Sequence, residues 1–270
     1  MENMAVFVDS FDGNSDLWDT FFGIMHYYWK DCSFKKYLVT NMMEYSKYEV
    51  NSIKVGDNTD WVNCTLEGLK KVPEKYIFFM FEDYFFSKNI SNDQIKSILD
   101  TMRERDIFFY RLSLINGLDR TKDAVPISKD FPYVINLQPA IWERTTLIFW
   151  LENMKEQGLS TPWQFEFFFI DKANNYELPL DNGFIKGVLY DTRDIMGYQN
   201  AVIQGKWVRR VIRKYRSNPD IHIELGEREF MSCKNEVWDS IKQLGHVLIP
   251  YKKRESMKKA LKKMNIKFMR

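Results

Sequence analysis

Residues 76–86 have the sequence Y-I-F-F-M-F-E-D-Y-F-F, a run of large apolar side chains interrupted by two adjacent carboxylates, Glu82 and Asp83. The apolar run is typical of a buried strand. Two acids on such a strand are costly unless they are solvated, hydrogen-bonded or bound to a cation. The stretch therefore predicts either a strand that ends at Glu82 or an acidic pair placed to hold something.

Strands and helices alternate around this stretch. The pattern predicts strands over 4–9, 35–41, 52–57, 76–86 and 107–113, with helices starting near Asp16, at Thr59 or Asp60, and over 91–105. Such alternation is typical of an α/β fold with a mostly parallel sheet and helices on both faces. Right-handed crossovers bring the carboxyl ends of parallel strands to one edge. We therefore expect Asp9, after the first strand, to lie near Glu82 and Asp83.

The pattern changes after residue 125. It predicts a strand or loop over 133–142, a helix from 143, and a second helix that Ser160 or Thr161 caps and Pro162 begins. A strand over 183–192 and a basic helix over 204–216 follow. We expect one domain, 1–215, and a basic helical extension, 216–270.

The composition describes an ordinary globular protein of 270 residues, 45% hydrophobic and 28% charged. Three distant cysteines form neither a metal-binding spacing nor a disulfide framework, which favours a reducing compartment. The first residues lack a secretory signal, and the longest apolar runs are shorter than the ~18 residues that a membrane span needs. We expect a cytoplasmic protein.

The formal net charge of +2 conceals an asymmetry. Residues 201–270 contain 18 Lys and Arg against 7 Asp and Glu, whereas residues 1–200 contain 21 against 30. The basic end should face an anionic partner.

Familiar catalytic motifs are absent from the sequence. It contains no G-x-G-x-x-G after the first strand, no P-loop and no G-x-S-x-G, and its three histidines have no metal-ligand spacing. Carboxylates at strand ends remain. They suit a divalent cation that neutralises a diphosphate, although a solvated strand end explains the pair equally well.

Several segments in order resemble a family of bacterial GT-A-like glycosyltransferases of capsule and lipopolysaccharide biosynthesis. These segments are D-S-F-D-G-N-S-D-L-W (9–18), K-K-Y-L-V-T-N (35–41), T-D-W-V-N-C-T-L-E-G-L-K-K-V (59–72), the stretch 76–86, N-L-Q-P-A-I-W-E-R (136–144) and P-W-Q-F-E (162–166). The resemblance covers roughly residues 5 to 210. It implies a GT-A-like fold and a nucleotide-sugar donor.

The resemblance also implies roles for residues of the donor site. Asp9 and Ser10 would lie by the base and ribose, and Trp61 would begin the helix that lines the donor pocket. Glu82 and Asp83 would occupy the place of the metal-binding D-x-D motif. Tyr84 stands where a second acid is expected, so a divalent cation (manganese or magnesium) and metal-independent transfer both stay open. Asp16 and Trp18 would shape the first loop, or serve as a helix cap and a core residue.

On the acceptor side, the resemblance places Gln138 and Trp142 beside the sugar and acceptor, together with Trp163. Trp142 would stack on a pyranose face, or pack in the core. Glu166 is the candidate general base, because apolar neighbours raise the pKa of a carboxyl towards neutrality. The alternative for Glu166 is a capping box at the start of a helix.

Basic residues complete the prediction. Lys206, Arg209 and Arg210 could meet the diphosphate, or form a solvated helix face. The segment 252–270 contains nine basic residues and one acid, with Met257, Leu261, Met264 and Phe268 on one helical stripe. This pattern suits peripheral association with an anionic membrane, where lipid-linked acceptors are found, and a merely solubilising end is the alternative. No nucleic-acid partner is expected, since the tail lacks interleaved aromatic residues.

The residues together with the resemblance thus predict a glycosyltransferase that moves a sugar from a nucleotide-sugar donor to a surface-glycan or lipid-linked acceptor. Glu166 as a candidate base favours inversion, and retention stays open. Two alternatives remain. One is a nucleotidyltransferase, although D-S-F-D-G-N-S lacks the basic residues expected after its first strand. The other is a non-enzymatic adaptor that binds membranes or nucleic acid through the basic tail.

Overall fold

The computed structural model describes residues 3–57, 60–113, 118–131, 133–175 and 177–237. Its helices are α1 Ser15–Tyr28, α2 Trp61–Lys70, α3 Asn92–Glu104, α4 Arg144–Glu156, α5 Pro162–Asn174 and α6 Arg209–Arg216. Its strands are β1 Met4–Asp9, β2 Lys35–Thr40, β3 Val50–Lys54, β4 Tyr76–Phe81, β5 Tyr84–Phe85, β6 Phe109–Arg111, β7 Ala124–Ser128, β8 Ala140–Glu143, β9 Leu180–Asp181, β10 Phe184–Asp191, β11 Gln199–Asn200, β12 Val202–Ile203 and β13 Lys206–Trp207. None of the described helices has the length and apolar character to cross a bilayer.

Nine strands of the described chain form one mixed sheet in the order β3-β2-β1-β4-β8-β6-β10-β7, with β9 paired to β10. β1 to β4 are parallel to one another, and β10 is parallel to β6. β8 lies antiparallel between β4 and β6, so β4 and β6 point in the same direction. The predicted class, an α/β fold with a mostly parallel sheet and flanking helices, is confirmed.

Two hydrophobic cores lie on opposite faces of the sheet. On one face Val6, Val8 and Phe78 pack with α1, α3 and α6, and on the other Phe7 and Phe79 pack with α2, α4 and α5. β4 is buried on both faces, which explains its unbroken apolar run. Full burial of a side chain such as Phe78 contributes about 1.5–3 kcal/mol.

The stretch 76–86 is divided into two strands. β4 ends at Phe81, Glu82 and Asp83 form a turn, and Tyr84–Phe85 makes a separate short strand that pairs with β11. The strand therefore ends where the acids begin. Glu82 is not solvated, however, since it is only 3% exposed, and Asp83 is half-buried.

The basic helix predicted over 204–216 begins only at Arg209, which corrects the sequence interpretation. Before it, β12 and β13 form a hairpin whose two turn residues, Gln204 and Gly205, have φ of 51° and 75°. Lys206 consequently lies on a strand. The segment 133–142 is mostly loop, and its strand, β8, begins at Ala140.

The predicted extension is described as far as residue 237. Ile221, Ile223 and Met231 are buried in the core beside α1, and residues 233–237 are helical. The basic segment 252–270 lies outside the described residues, as does Thr59, while Asp60 caps α2. The domain boundary at 215 stays a prediction.

Candidate active site

A cavity of about 860 Å³ opens at the carboxyl ends of the parallel strands. β1 and β4 are neighbours in register, so their last residues, Asp9 and Phe81, lie side by side. The turn after β4 then brings Glu82 and Asp83 to the cavity beside Asp9, as the topology predicts. The cavity is lined by Asp9, Ser10, Phe11, Asp12, Asn14, Asn41, Asp57, Trp61, Cys64, Phe81, Glu82, Asp83, Tyr84, Leu137, Pro162, Trp163 and Glu166.

Asp9 is a buried carboxyl group at the wall of this cavity. Its Oδ2 atom accepts hydrogen bonds from Trp61 Nε1 at 2.6 Å and from Thr65 Oγ1 at 2.8 Å. Burial raises the pKa of Asp9 to about 7, although these two hydrogen bonds act in the opposite direction. The first two turns of α2 therefore hold Asp9 in place, and Trp61 lies at the cavity wall at the start of this helix.

The loop after β1 is fixed by polar contacts from several elements. Ser10 Oγ accepts a hydrogen bond from Nε1 of the buried Trp18, at 2.9 Å. The Asp12 carboxylate accepts from the backbone N–H groups of residues 41–43. Asp16 pairs with Arg228, so it does not cap α1, and Trp18 is a core residue.

Glu82 and Asp83 form the acidic pair of the site. Asn14 donates its side-chain amide to Glu82 Oε1, and burial together with the neighbouring Asp83 raises the pKa of Glu82. Burial also raises the pKa of Asp83, and the charge of Arg228 counteracts it. Within the described structure, the buried Oδ1 atom of Asp83 has no hydrogen-bond partner. An unpaired buried carboxylate oxygen is costly unless it has a ligand.

Glu166 lies one turn into α5 and lines the same cavity as the strand-end acids. The capping box of α5 is made by Thr161 and Gln164, so Glu166 is not consumed in capping. Burial raises the pKa of Glu166, while Arg111 and the Leu137 backbone N–H lower it. Trp163, on the same helix, is 75% exposed at the cavity mouth.

Two predicted acceptor residues lie elsewhere. Trp142 is fully buried, with its ring 4.5 Å from that of Phe109, and it cannot stack on a sugar. It points into the core because β8 inserts between β4 and β6. Gln138 does not line the cavity; its Oε1 atom accepts from Ser113 Oγ at 2.7 Å and from the Arg111 guanidinium.

The predicted diphosphate-binding cations also lie away from the cavity lining. Lys206 forms an ion pair with Glu229 at 2.6 Å, and the Arg209 guanidinium stacks on the Phe230 ring. Arg210 is exposed on α6. The arginine whose charge acts on Glu82 and Asp83 is Arg228, which sequence reasoning missed because no motif surrounds it.

The charge of the cavity is one-sided. Its lining includes six carboxyl side chains and, among the described residues, no Lys, Arg or His. No group of three or more His, Cys, Asp or Glu residues in the described chain is arranged to hold a metal ion. Glu82 and Asp83 are the pair that could share a cation with oxygen atoms from a ligand.

No protein-family model matches the sequence, and no curated protein matches it significantly. Among solved structures, the chain is similar to S. aureus TarS 1–349, with a TM-score of 0.43 and 11% identity over 72% of this chain and 58% of that one. It is similar to a 4-diphosphocytidyl-2C-methyl-D-erythritolsynthase from Anaerococcus prevotii (TM-score 0.45, 15% identity, 80% and 97% of the chains). It is also similar to a cytidylyltransferase from Leptospira borgpetersenii, with a TM-score of 0.43 and 14% identity over 83% of this chain and 98% of that one. The chain spans less than two thirds of the TarS structure, and similarities this low assign neither family nor function.

Proposed function

We propose that the chain is a nucleotide-sugar-dependent glycosyltransferase that moves a sugar to a hydroxyl group of a surface glycan or lipid-linked acceptor. The observation that carries the proposal is the convergence of Asp9, the Glu82–Asp83 pair and Glu166 on one cavity. Open α/β sheets bind nucleotides at this edge, outside the carboxyl ends of the strands. A volume of about 860 Å³ lies within the range of small-molecule and cofactor sites.

The charge of the cavity supports a cation-dependent reaction over a metal-independent one. A diphosphate would enter a cavity lined by six carboxyl groups, so it needs a positive charge that the lining, as far as the structure describes it, does not supply. The Oδ1 atom of Asp83, which lacks a hydrogen-bond partner among the described residues and lies beside Glu82, fits a hard cation such as Mg²⁺ or Mn²⁺. Glu82 and Asp83 would hold this cation, which supplies charge neutralisation for the departing diphosphate.

The residues of the cavity support a single displacement. Glu166 accepts the proton of the acceptor hydroxyl while the hydroxyl oxygen bonds to the anomeric carbon, and the bond from that carbon to the diphosphate oxygen breaks with its electron pair. The raised pKa of Glu166 suits a base that works near neutral pH. Trp163 offers an exposed ring face to the acceptor, and Asp9 with Trp61 forms a polar wall for the nucleoside.

The test is a thermal-shift panel of UDP, GDP, CMP and dTDP, each with and without manganese. A ligand that binds only the folded protein raises its melting temperature with saturation. We expect one nucleotide to raise the melting temperature when manganese is present, and Asp83→Asn to abolish that shift. Glu67→Gln, an exposed residue of α2, serves as the control that keeps it. No shift with any nucleotide would contradict the proposal.

The products separate the proposal from a nucleotidyltransferase. A glycosyltransferase releases a nucleoside diphosphate from a nucleotide-sugar donor. A nucleotidyltransferase joins a sugar phosphate to a nucleoside triphosphate, and pyrophosphate leaves from the triphosphate. The loop after β1 lacks Lys and Arg over residues 10–14, which favours the former. Pyrophosphate release with any triphosphate would favour the latter.

A further inference from the structure

We propose that Arg228 is a positioning residue of the site formed by Glu82 and Asp83, acting on Glu82 through the side-chain amide of Asn14. The inference deepens the proposed function, on which it rests for the view that this acidic pair holds a cation. Arg228 lies beyond α6, in the segment that the sequence places outside the catalytic domain.

The guanidinium group of Arg228 donates hydrogen bonds to three residues, Asp16, Asn14 and Gly205. Its Nε atom donates to Asp16 Oδ2 at 2.9 Å, and its Nη2 atom donates to Asp16 Oδ1 at 2.8 Å and to Asn14 Oδ1 at 3.0 Å. Nη1 donates to the Gly205 carbonyl at 3.1 Å. The side chain is only 12% exposed. One planar guanidinium therefore joins the loop after β1, the start of α1 and the β12–β13 turn.

Asn14 transmits this hold to the acidic pair. Its Oδ1 atom is occupied by Arg228, so its Nδ2 group faces the opposite way and donates to Glu82 Oε1. An amide whose oxygen is fixed cannot flip without losing both hydrogen bonds. Arg228 thereby fixes the orientation of Glu82 next to Asp83, whose Oδ1 atom lacks a partner in the described chain.

The segment that carries Arg228 is itself held by hydrogen bonds to helix α1 and strand β13. The Thr20 hydroxyl bonds with the Glu224 backbone, and Trp207 Nε1 donates to the Leu225 carbonyl at 2.9 Å. Gly226 has a φ of 54°, and a Cβ atom there would come within 3.3 Å of the Asp16 Cβ. The close approach at Gly226 brings the chain against the start of α1 two residues before Arg228.

Arg228 does not itself line the cavity, so its role is to orient and not to bind the ligand. A lysine at 228 would keep the positive charge but could not bond to Asp16 and Asn14 together in the same fork. The substitution Arg228→Lys therefore separates geometry from charge. Asn14→Ala removes the next link without changing any charge.

The experiment measures the manganese dissociation constant of the full chain by isothermal titration calorimetry, without nucleotide. Groups that orient metal ligands typically change affinity 10- to 100-fold when removed. We expect Arg228→Lys and Asn14→Ala each to weaken manganese binding about tenfold, and the double variant to be no weaker than either. Arg213→Lys, an exposed arginine of α6, is the matched control and keeps the wild-type constant. Melting temperatures are recorded in parallel.

Opposite results would overturn the inference. These are an unchanged constant in Arg228→Lys or Asn14→Ala, losses that multiply in the double variant, or a wild-type chain that does not bind manganese at millimolar concentration. If Arg228→Lys does not fold, Asn14→Ala alone decides. A chain that binds manganese with the expected pattern but binds no nucleotide would refute the proposed function and leave the positioning role standing. A chain whose melting temperature rises with a nucleotide but that does not bind manganese would refute the positioning role and leave the proposed function standing.

Discussion

Asp9 shows how a single carboxyl group is shaped by the end of a strand. It lies on the last residue of β1, is buried, and has two hydrogen-bond donors on one oxygen. These donors do not fully compensate the loss of water, so the pKa of Asp9 rises from 3.8 to about 7. The native state therefore holds a proton at a pH where the unfolded chain releases it.

This shift predicts a stability that falls as pH rises. The contribution of Asp9 to folding stability is fully present below pH 4, near its pKa in the unfolded chain. It is lost as the pH rises through 7, because the pKa of Asp9 in the folded state is the higher of the two. Because one pKa unit corresponds to about 1.36 kcal/mol, the change in unfolding free energy for Asp9 is on the order of 4 kcal/mol. Asp9→Asn, which keeps an acceptor oxygen, should flatten the fall in melting temperature between pH 5 and pH 8. An equally steep fall in Asp9→Asn, compared with wild type and the control Glu67→Gln, would contradict this account.

The two tryptophans assigned to the acceptor differ in burial, and their substitutions should differ accordingly. Trp142→Ala opens a cavity in the core and should cost about 3–5 kcal/mol of unfolding free energy. Trp142→Phe should cost much less, because it also removes an indole N–H that is buried without a partner among the described residues. Trp163→Ala should leave stability within about 0.5 kcal/mol, since the ring is 75% exposed. Urea unfolding measures all three, and similar losses at 142 and 163 would refute the assignment.

At the scale of elements, the residues that start helix α5 differ from the residue proposed to act in catalysis. Thr161 Oγ1 accepts a hydrogen bond from the Gln164 backbone N–H, and Gln164 Oε1 accepts one from the Thr161 backbone N–H, so the first turn is satisfied. Glu166 follows one turn later and faces the cavity. A helix with a satisfied start is a rigid support for such a residue.

Two substitutions should separate these roles. Thr161→Ala should lower the unfolding free energy by about 1 kcal/mol, whereas Ser97→Ala, on the exposed face of α3, should not. Glu166→Gln should leave stability nearly unchanged and lower turnover of the nucleotide sugar at least ~100-fold. Chemical denaturation and a nucleoside diphosphate release assay measure the two effects. Full turnover in Glu166→Gln would assign the base to another residue.

Element boundaries were predictable where local chemistry sets them. Asp60 and Thr161 accept hydrogen bonds as helix caps, and the apolar run of β4 marks a strand buried on both faces. The β12–β13 hairpin was missed because Trp207 lies four residues before Val211, which is a helical spacing. The pattern of α6 therefore predicted a helix that extends back through the hairpin. Its signal was Gln204–Gly205, two residues with positive φ in a two-residue turn.

The site was predictable only in part, for a similar reason. Strand order brings Asp9 and Glu82 to one edge in any fold of this kind, so their meeting follows from the pattern. The burial of Trp142 depends on β8 running antiparallel between β4 and β6, which periodicity cannot reveal. Arg228 reaches Asn14 through a non-repetitive segment, and no spacing in the sequence links the two.

At the scale of the whole molecule, charge is divided between an acidic body and a basic end. Residues 1–200 contain 21 basic and 30 acidic residues, and residues 201–270 contain 18 and 7. Under the proposed function, the acidic cavity would need a cation to hold an anionic donor, whereas the basic end is expected to attract an anionic surface. The two regions should thus have different electrostatic partners.

The tail predicts peripheral binding to anionic membranes. Each of its nine basic residues contributes about 1 kcal/mol near such a surface, an interaction that salt screens. The full chain should sediment with vesicles containing anionic lipid and not with neutral ones, and deletion of 252–270 should abolish this. Replacing Met257, Leu261, Met264 and Phe268 by Ala keeps the charge, and should weaken binding less than the deletion does.

The same deletion separates an enzyme from an adaptor. If the chain acts through its tail alone, deletion of 252–270 removes its function, and Glu82→Ala with Asp83→Ala leaves it intact. The transferase predicts the opposite ranking with a water-soluble acceptor, because the acidic pair lies at the cavity and the tail would only bring the cavity to the membrane. Turnover of the nucleotide sugar in both variants decides between them, since the soluble acceptor removes any need for the membrane.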